Sequence, residues 1–145
     1  MAGLTSPAFE NHATIPQRYT CSGAGGPPPL RFPKPPARTR ELALLVTDPD
    51  ADNFVHWSVL GISPRSPGFP GKPPPGVIQT ENSFGDRGWG APCPPEGDEP
   101  HRYVFALYAL DAGLELKADA SANEVHDAIA DHAIVRSELE GRFGR

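Results

Sequence analysis

A mainly β fold is predicted, and three observations predict it. Short runs of β-branched and aromatic residues recur along the chain. Dense turn signals separate them, and only one stretch, near the C-terminus, changes to helical spacing. The 19 prolines and 15 glycines cluster between the apolar runs and leave the runs intact, the pattern of a folded, loop-rich protein. With 145 residues the chain is expected to form one domain, 1–145, with a core of its own.

Each element has its own justification. Residues 3–20 read as an extended lead-in, in which Phe9, Ile15, Pro16 and Tyr19 supply one or two short strands. Residues 21–38 are a Gly/Pro loop carrying Leu30-Arg31-Phe32, and its prolines remove ladder donors. The continuous apolar run over 40–47 predicts a strand buried on both faces. Asp48-Pro49-Asp50 ends it, because Pro49 fixes its own φ and pushes Asp48 toward an extended conformation. A second central strand covers 54–62. Strict alternation places Val55, Trp57 and Val59 on one face, and Phe54, His56, Ser58 and Leu60 on the other. Residues 63–76 are a further Pro/Gly loop, and 77–80 a short strand. The stretch 81–100 shows no regular pattern, and so long a loop in a small domain is usually functional. Residues 101–110 form the strongest strand, with His101 and Tyr103 on one face at its entry. Ser121-Ala122-Asn123-Glu124 then reads as a capping box. Val125, Ile129, Ala133 and Arg136 follow at helical spacing, with Leu139 beyond and Gly141 as a stop, so an amphipathic helix over roughly 122–140 is expected to pack on a sheet. Glu124, Asp127, Asp131, Arg136 and Glu138 are its solvated face.

Composition excludes several functions. The net charge is −5 with a pI near 5.5, and no basic stripe appears, which argues against sequence-independent nucleic-acid binding. No apolar run is long enough to span a bilayer. Met1 to Thr5 has neither a basic start nor an apolar stretch behind it, so no secretory signal is read and the expected compartment is the cytoplasm. There Cys21 and Cys93 are expected as reduced thiols, with a disulfide left open. Neither Cys-x-x-Cys nor His-x-x-x-His occurs, so no metal or other cofactor is expected. The chain has no Gly-x-Ser-x-Gly elbow, and neither cysteine has an evident base.

The chemistry concentrates in three words, Asp48-Pro49-Asp50, Phe54-Val55-His56-Trp57 and His101-Arg102-Tyr103, each where a turn meets an apolar run. A buried charge must be paired or neutralised, so polar groups on core-like strands predict a small polar pocket. Asp48 is positioned to orient an imidazole and favour its charged form, and Tyr103 adds a phenolic donor. Backbone amides of the Gly-rich 85–93 loop are candidates for an anion nest. Asp50 is divided evenly between a ligand role and an Asx turn. Phe84 and Trp89 are candidates for an apolar wall, and Trp57 for the core.

These words, in this order, carry a resemblance. With Ser6-Pro7-Ala8-Phe9, Tyr19-Thr20-Cys21, Asn82-Ser83-Phe84-Gly85 and Pro92-Cys93-Pro94-Pro95, the chain resembles the phosphatidylethanolamine-binding protein family, also called the Raf kinase inhibitor protein family. It is most similar to the short bacterial and archaeal branch. The resemblance implies a large central antiparallel sheet packed on a smaller sheet, with a helix at the C-terminal side. It also implies a pocket for phosphate, phosphorylethanolamine, acetate or a similar anion. Carried onto matching positions, the ligand-binding set is Asp48, Asp50, His56, Pro94, His101 and Tyr103. Binding of a small anion or phospholipid headgroup ranks first. An acid–base enzyme using the same residues ranks second, and a kinase or protease inhibitor or scaffold third. A homodimer is suggested by resemblance to bacterial relatives. This chain departs from the pattern at Asp52, where proline is frequent, and at Glu81 and Ala91, where glycine is common. Glu81 facing inward would repel an anion, and the Ala91 Cβ would crowd a loop that approaches one.

Overall fold

The computed structural model describes residues 3–145. Met1 and Ala2, where the N-terminal reading and the expected 1–145 span begin, lie outside the described residues. The strands are β1 (Leu30–Arg31), β2 (Glu41–Asp48), β3 (Phe54–Ile62), β4 (Gly68–Phe69), β5 (Ile78–Gln79), β6 (His101–Leu110) and β7 (Ala133–Phe143), with one α-helix, α1 (Ala122–His132), among the described residues. Five strands form an antiparallel sheet in the order β5-β3-β2-β6-β7, and β1 and β4 pair separately. The lead-in forms single bridges at Thr5 and Thr14 and a 3₁₀ turn at Gln17–Tyr19 in place of strands.

β2 and β6 lie at the centre because their apolar residues face each other in register: Leu42 with Ala109, Leu44 with Leu107, Val46 with Phe105. These side chains join Trp57, Val59 and Ile62 in a core covered by Leu4, Phe9 and Ile15 of the lead-in and by Leu30 and Phe69 of the small sheet. Each such burial contributes about 1.5–3 kcal/mol. On the opposite face Ala43, Leu60 and Leu110 meet Val125 and Ile129 of α1.

Strict alternation fails in β3. Val46 pairs with Trp57 but Thr47 pairs with Val55, so one residue of β2 faces two of β3. This bulge puts His56 and Trp57 on the same face. Trp57 and Val59 enter the first core, whereas Val55 and Ser58 line the groove beside α1. His56 thereby joins the face that carries Asp48, His101 and Tyr103, at one end of the core.

The expected helix over 122–140 is two elements. The capping box is present, with Ser121 Oγ accepting from the Glu124 amide and Glu124 Oε1 from the Ser121 amide, both at 3.1 Å. The helix ends at His132, whose carbonyl accepts from the Asp111 amide at 3.0 Å, and the chain continues as β7 beside β6. Period two governs there: Ser137, Leu139, Gly141 and Phe143 point inward, and Arg136 and Glu138 form an exposed ion pair at 2.6 Å. Gly141 is no helix stop. A Cβ on it would lie 2.5 Å from Ile15 and 2.9 Å from Phe9, so the lead-in packs directly on its backbone.

The expected reduced thiols are also corrected, because Cys21 and Cys93 form a disulfide with Cα atoms 5.3 Å apart, closing 72 residues of chain. The expectation rested on compartment, and no sequence pattern shows that the two loops meet. They do so through the Cys21 amide, which donates to Pro92 O at 3.1 Å. By chain entropy such a link stabilises the fold by about 4 kcal/mol. No helix among the described residues is long and apolar enough to cross a membrane.

Candidate functional site

The site begins at the C-terminal end of β2. Asp48 is extended, as the following proline requires, and is buried. One of its carboxylate oxygens accepts from the Asp50 amide at 2.9 Å, an Asx turn that fixes the carboxylate. The other accepts from His101 Nδ1 at 2.6 Å. On its far side, His101 Nε2 donates to Asp98 Oδ2 at 3.2 Å. Carboxylates beside both ring nitrogens favour the doubly protonated ring. The His101 pKa is accordingly raised, chiefly by the hydrogen bond to Asp48.

His56 has the opposite environment. It is 3% exposed, and its Nδ1 donates to Gly90 O at 2.8 Å. A carbonyl only accepts, so this bond fixes a proton on Nδ1, and in the neutral ring Nε2 keeps its lone pair. Burial pushes the His56 pKa down, against the opposing pull of the Gly90 carbonyl and Asp48. Tyr103 sits between the two imidazoles, with ring centroids 5.2 Å from His56 and 6.5 Å from His101. Its phenol is pushed up by burial and then by Asp48 and Asp50.

Asp48, His56, Pro94, His101 and Tyr103 line one cavity of about 110 Å³, completed by Ala51, Phe54, Phe84, Cys93 and Pro95. The structure therefore brings five of the six expected residues together. Asp50 lies outside this lining. Its carboxylate takes the Arg102 amide at 2.8 Å, Nε at 3.2 Å and Nη2 at 2.9 Å. The Arg102 guanidinium holds that carboxyl at about 2. Asp50 thus ties the turn after β2 to the start of β6.

Other expectations change. Three glycine amides of the Gly-rich loop are engaged by protein carbonyls: Gly85 to Asn82, Gly88 to Thr80 and Gly90 to His56. These three are therefore not free for the expected nest. Phe84 does form a wall, edge-on to Phe54 and His56. Trp89 instead packs on Trp57, and its indole N–H donates to Gly25 O. Neither Glu81, which is exposed, nor Ala91 lines the cavity.

Three supporting groups escaped sequence reasoning. Asn82 folds the loop beneath Phe84, accepting from the Phe84 amide and donating to Gly88 O, both at 2.9 Å. Gly90 bonds His56 through both its N–H and its C=O, and a Cβ there would lie 2.4 Å from the Phe84 ring. Arg145 donates to Pro94 O at 2.7 Å and anchors the proline-rich wall. Asn82 and Gly90 sit in the long loop flagged as functional, but their partners are legible only in three dimensions. No group of three or more His, Cys, Asp or Glu among the described residues is arranged to hold a metal ion.

The family model described as phosphatidylethanolamine-binding protein matches residues 5–144. A UPF0098 protein of Methanothermobacter thermautotrophicus is 39% identical over 98% of both chains. LppC of Mycobacterium tuberculosis, named as a lipoprotein, is 41% identical over 97% of this chain and 71% of its own. Among solved structures, a phosphatidylethanolamine-binding protein homologue from Chlamydia trachomatis superposes with a TM-score of 0.91 at 34% identity, covering 99% of this chain and 97% of that one. Escherichia coli YbcL, described as a member of the mammalian family, gives 0.92 at 26% identity, covering 99% and 98%.

Proposed function

Because the chain belongs to the phosphatidylethanolamine-binding protein family, we propose that its cavity binds a small phosphoryl- or carboxylate-bearing anion and that the protein acts through that ligand. Membership supports a binding or regulatory protein in general terms. The observation that carries the finer reading is a divided histidine pair on one cavity, His101 flanked by the Asp48 and Asp98 carboxylates and His56 buried against the Gly90 carbonyl, an arrangement that favours charge on the first ring and neutrality on the second. His101 supplies positive charge, the Tyr103 hydroxyl donates, and His56 Nε2 accepts from a protonated phosphoryl oxygen. A volume of about 110 Å³ admits a phosphate-sized group and keeps acyl chains outside. Since both His101 nitrogens are engaged, an entering anion displaces Asp98, which lies on the half-exposed loop before β6. Asp50 acts indirectly, by holding Arg102 and the turn.

Calorimetric titration with phosphate, phosphorylethanolamine and acetate tests this reading. Saturable heat with at least one of them, lost in His101→Gln, is expected. Absence of heat with all three contradicts it. The same divided pair supports a second reading, acid–base catalysis, because two groups whose environments push their pKa values apart are a general acid and base in waiting. Turnover of a candidate substrate that survives His56→Ala and His101→Ala argues against that reading. As to compartment, the Cys21–Cys93 disulfide favours an oxidising environment over the cytoplasm.

A further inference from the structure

A second concavity lies at the opposite end of the central sheet. Arg40 precedes β2 and Ser63 follows β3, whereas Asp48 and His56 lie at the far ends of these strands, so about 25 Å of sheet separates the two sites. The cleft, about 660 Å³, is walled by two loops, residues 32–40 and 63–67, and falls in the size range of small-molecule sites. Phe32 N donates to Pro67 O at 3.0 Å and ties the walls together, and their prolines hold them rigid before any ligand arrives.

Two independent observations point to a ligand. The first is charge. Lys34 and Arg40 on one wall and Arg65 on the other line the cleft, with no carboxylate among the lining residues. The arginine ion pairs of the described residues involve Arg102, Arg136, Arg142 and Arg145 instead. Three uncompensated cations thus converge in a chain of net charge −5. They are scattered in sequence, so no basic stripe reveals them. The second observation is Thr39, which also lines the cleft. It is 8% exposed, and its Oγ1 is the one buried side-chain polar atom among the described residues that lacks a hydrogen-bond partner. A buried hydroxyl left unpaired is unfavourable; the Oγ1 is closed to solvent in this structure, and a χ1 turn of Thr39 would bring it to a ligand oxygen in the cleft.

We propose that this cleft is a second binding site, for a small soluble polyanion carrying two or more phosphoryl groups. Cations on both walls reach separate phosphoryl groups, and the volume is several times that of the first cavity. Nucleic acid is disfavoured because the aromatic residue of the lining, Phe32, packs edge-on against Phe69 and offers no stacking platform. The inference is independent of the anion cavity at the other end of the sheet.

Tripolyphosphate is the probe, followed by amide NMR at low ionic strength, with inorganic phosphate as comparison. Saturable shifts at residues 32–40 and 63–67 are expected, with or without shifts around His56 and His101. Arg40→Gln/Arg65→Gln should weaken binding roughly tenfold or more, and Thr39→Val severalfold, with the melting temperature unchanged or raised in Thr39→Val. Inorganic phosphate should bind this cleft more weakly than tripolyphosphate. No saturable shift at millimolar probe, or shifts only around His56 and His101, overturns the proposal and leaves a solvated basic loop. Sedimentation with phosphatidylglycerol vesicles that is lost in the double variant, with tripolyphosphate inert, overturns it in favour of a membrane surface.

Discussion

The Asp48 carboxylate accepts a hydrogen bond from His101 Nδ1 at 2.6 Å, across 53 residues of chain. The contact joins the ends of two central strands and gives a buried aspartate a hydrogen-bond donor. It also makes stability depend on pH. A histidine whose pKa is raised in the folded state contributes fully below its unfolded value of about 6.5, and the contribution is lost as pH rises through the folded value. His56, lowered by burial, has the opposite sign: its contribution is present above about 6.5 and is lost as pH falls. In Asp48→Asn the His101 titration should return toward its ordinary range, and the decline of stability above neutrality should flatten. Ring-proton NMR titrations with urea melts across pH check this. An unshifted His101 in Asp48→Asn contradicts the pairing.

Asp98 competes with a ligand for His101. Its carboxylate is tethered three residues away at 3.2 Å, so a free monocarboxylate must displace an internal one of high effective concentration. Asp98→Asn removes that competing charge. Phosphate and acetate should both bind more tightly, by about three- to tenfold, with the larger gain for acetate. Calorimetry on the two proteins decides, and equal affinities show that Asp98 does not guard the site.

Gly90 is where loop and site are most tightly coupled. Gly90→Ala places a Cβ 2.4 Å from the Phe84 ring and disturbs the carbonyl that sets the His56 tautomer. Destabilisation of about 1–3 kcal/mol is expected in urea melts, with loss of the Phe84–His56 contact seen as a shifted His56 ring signal. A neutral effect would mean that Phe84 moves freely.

How much of this was legible in the residues differs by element. β3 and β6 begin and end where their apolar runs do, because a long β-branched and aromatic run has few alternatives. The site words were legible because ionisable groups on such runs need partners. The bulge at His56-Trp57 was not legible: alternation assumes one-to-one pairing, and only the Val46 and Thr47 register reveals the extra residue. The helix-to-strand change at Ala133 was hidden because Ala133 and Arg136 fit helical spacing while Leu139 and Phe143 fit period two. Asp98 was not singled out, because it sits in a loop without a pattern, and the Arg102 pairing was hidden because its partner Asp50 comes from the turn after β2.

The disulfide has a measurable share in the fold. Reducing Cys21–Cys93 should lower stability by about 4 kcal/mol in urea melts with and without dithiothreitol. Because Cys93 lines the cavity, anion affinity should fall in parallel. Identical melts under both conditions would show that the cysteines are not joined.

The proposed function turns on a neutral His56 beside a charged His101 in one cavity. Long-range ¹⁵N–¹H NMR of the histidine rings at neutral pH reads both states at once. Two protonated nitrogens on His101, Nδ1–H with a bare Nε2 on His56, and saturable shifts of both rings on adding phosphate are expected. A neutral His101, or rings that ignore phosphate throughout the titration, would contradict it.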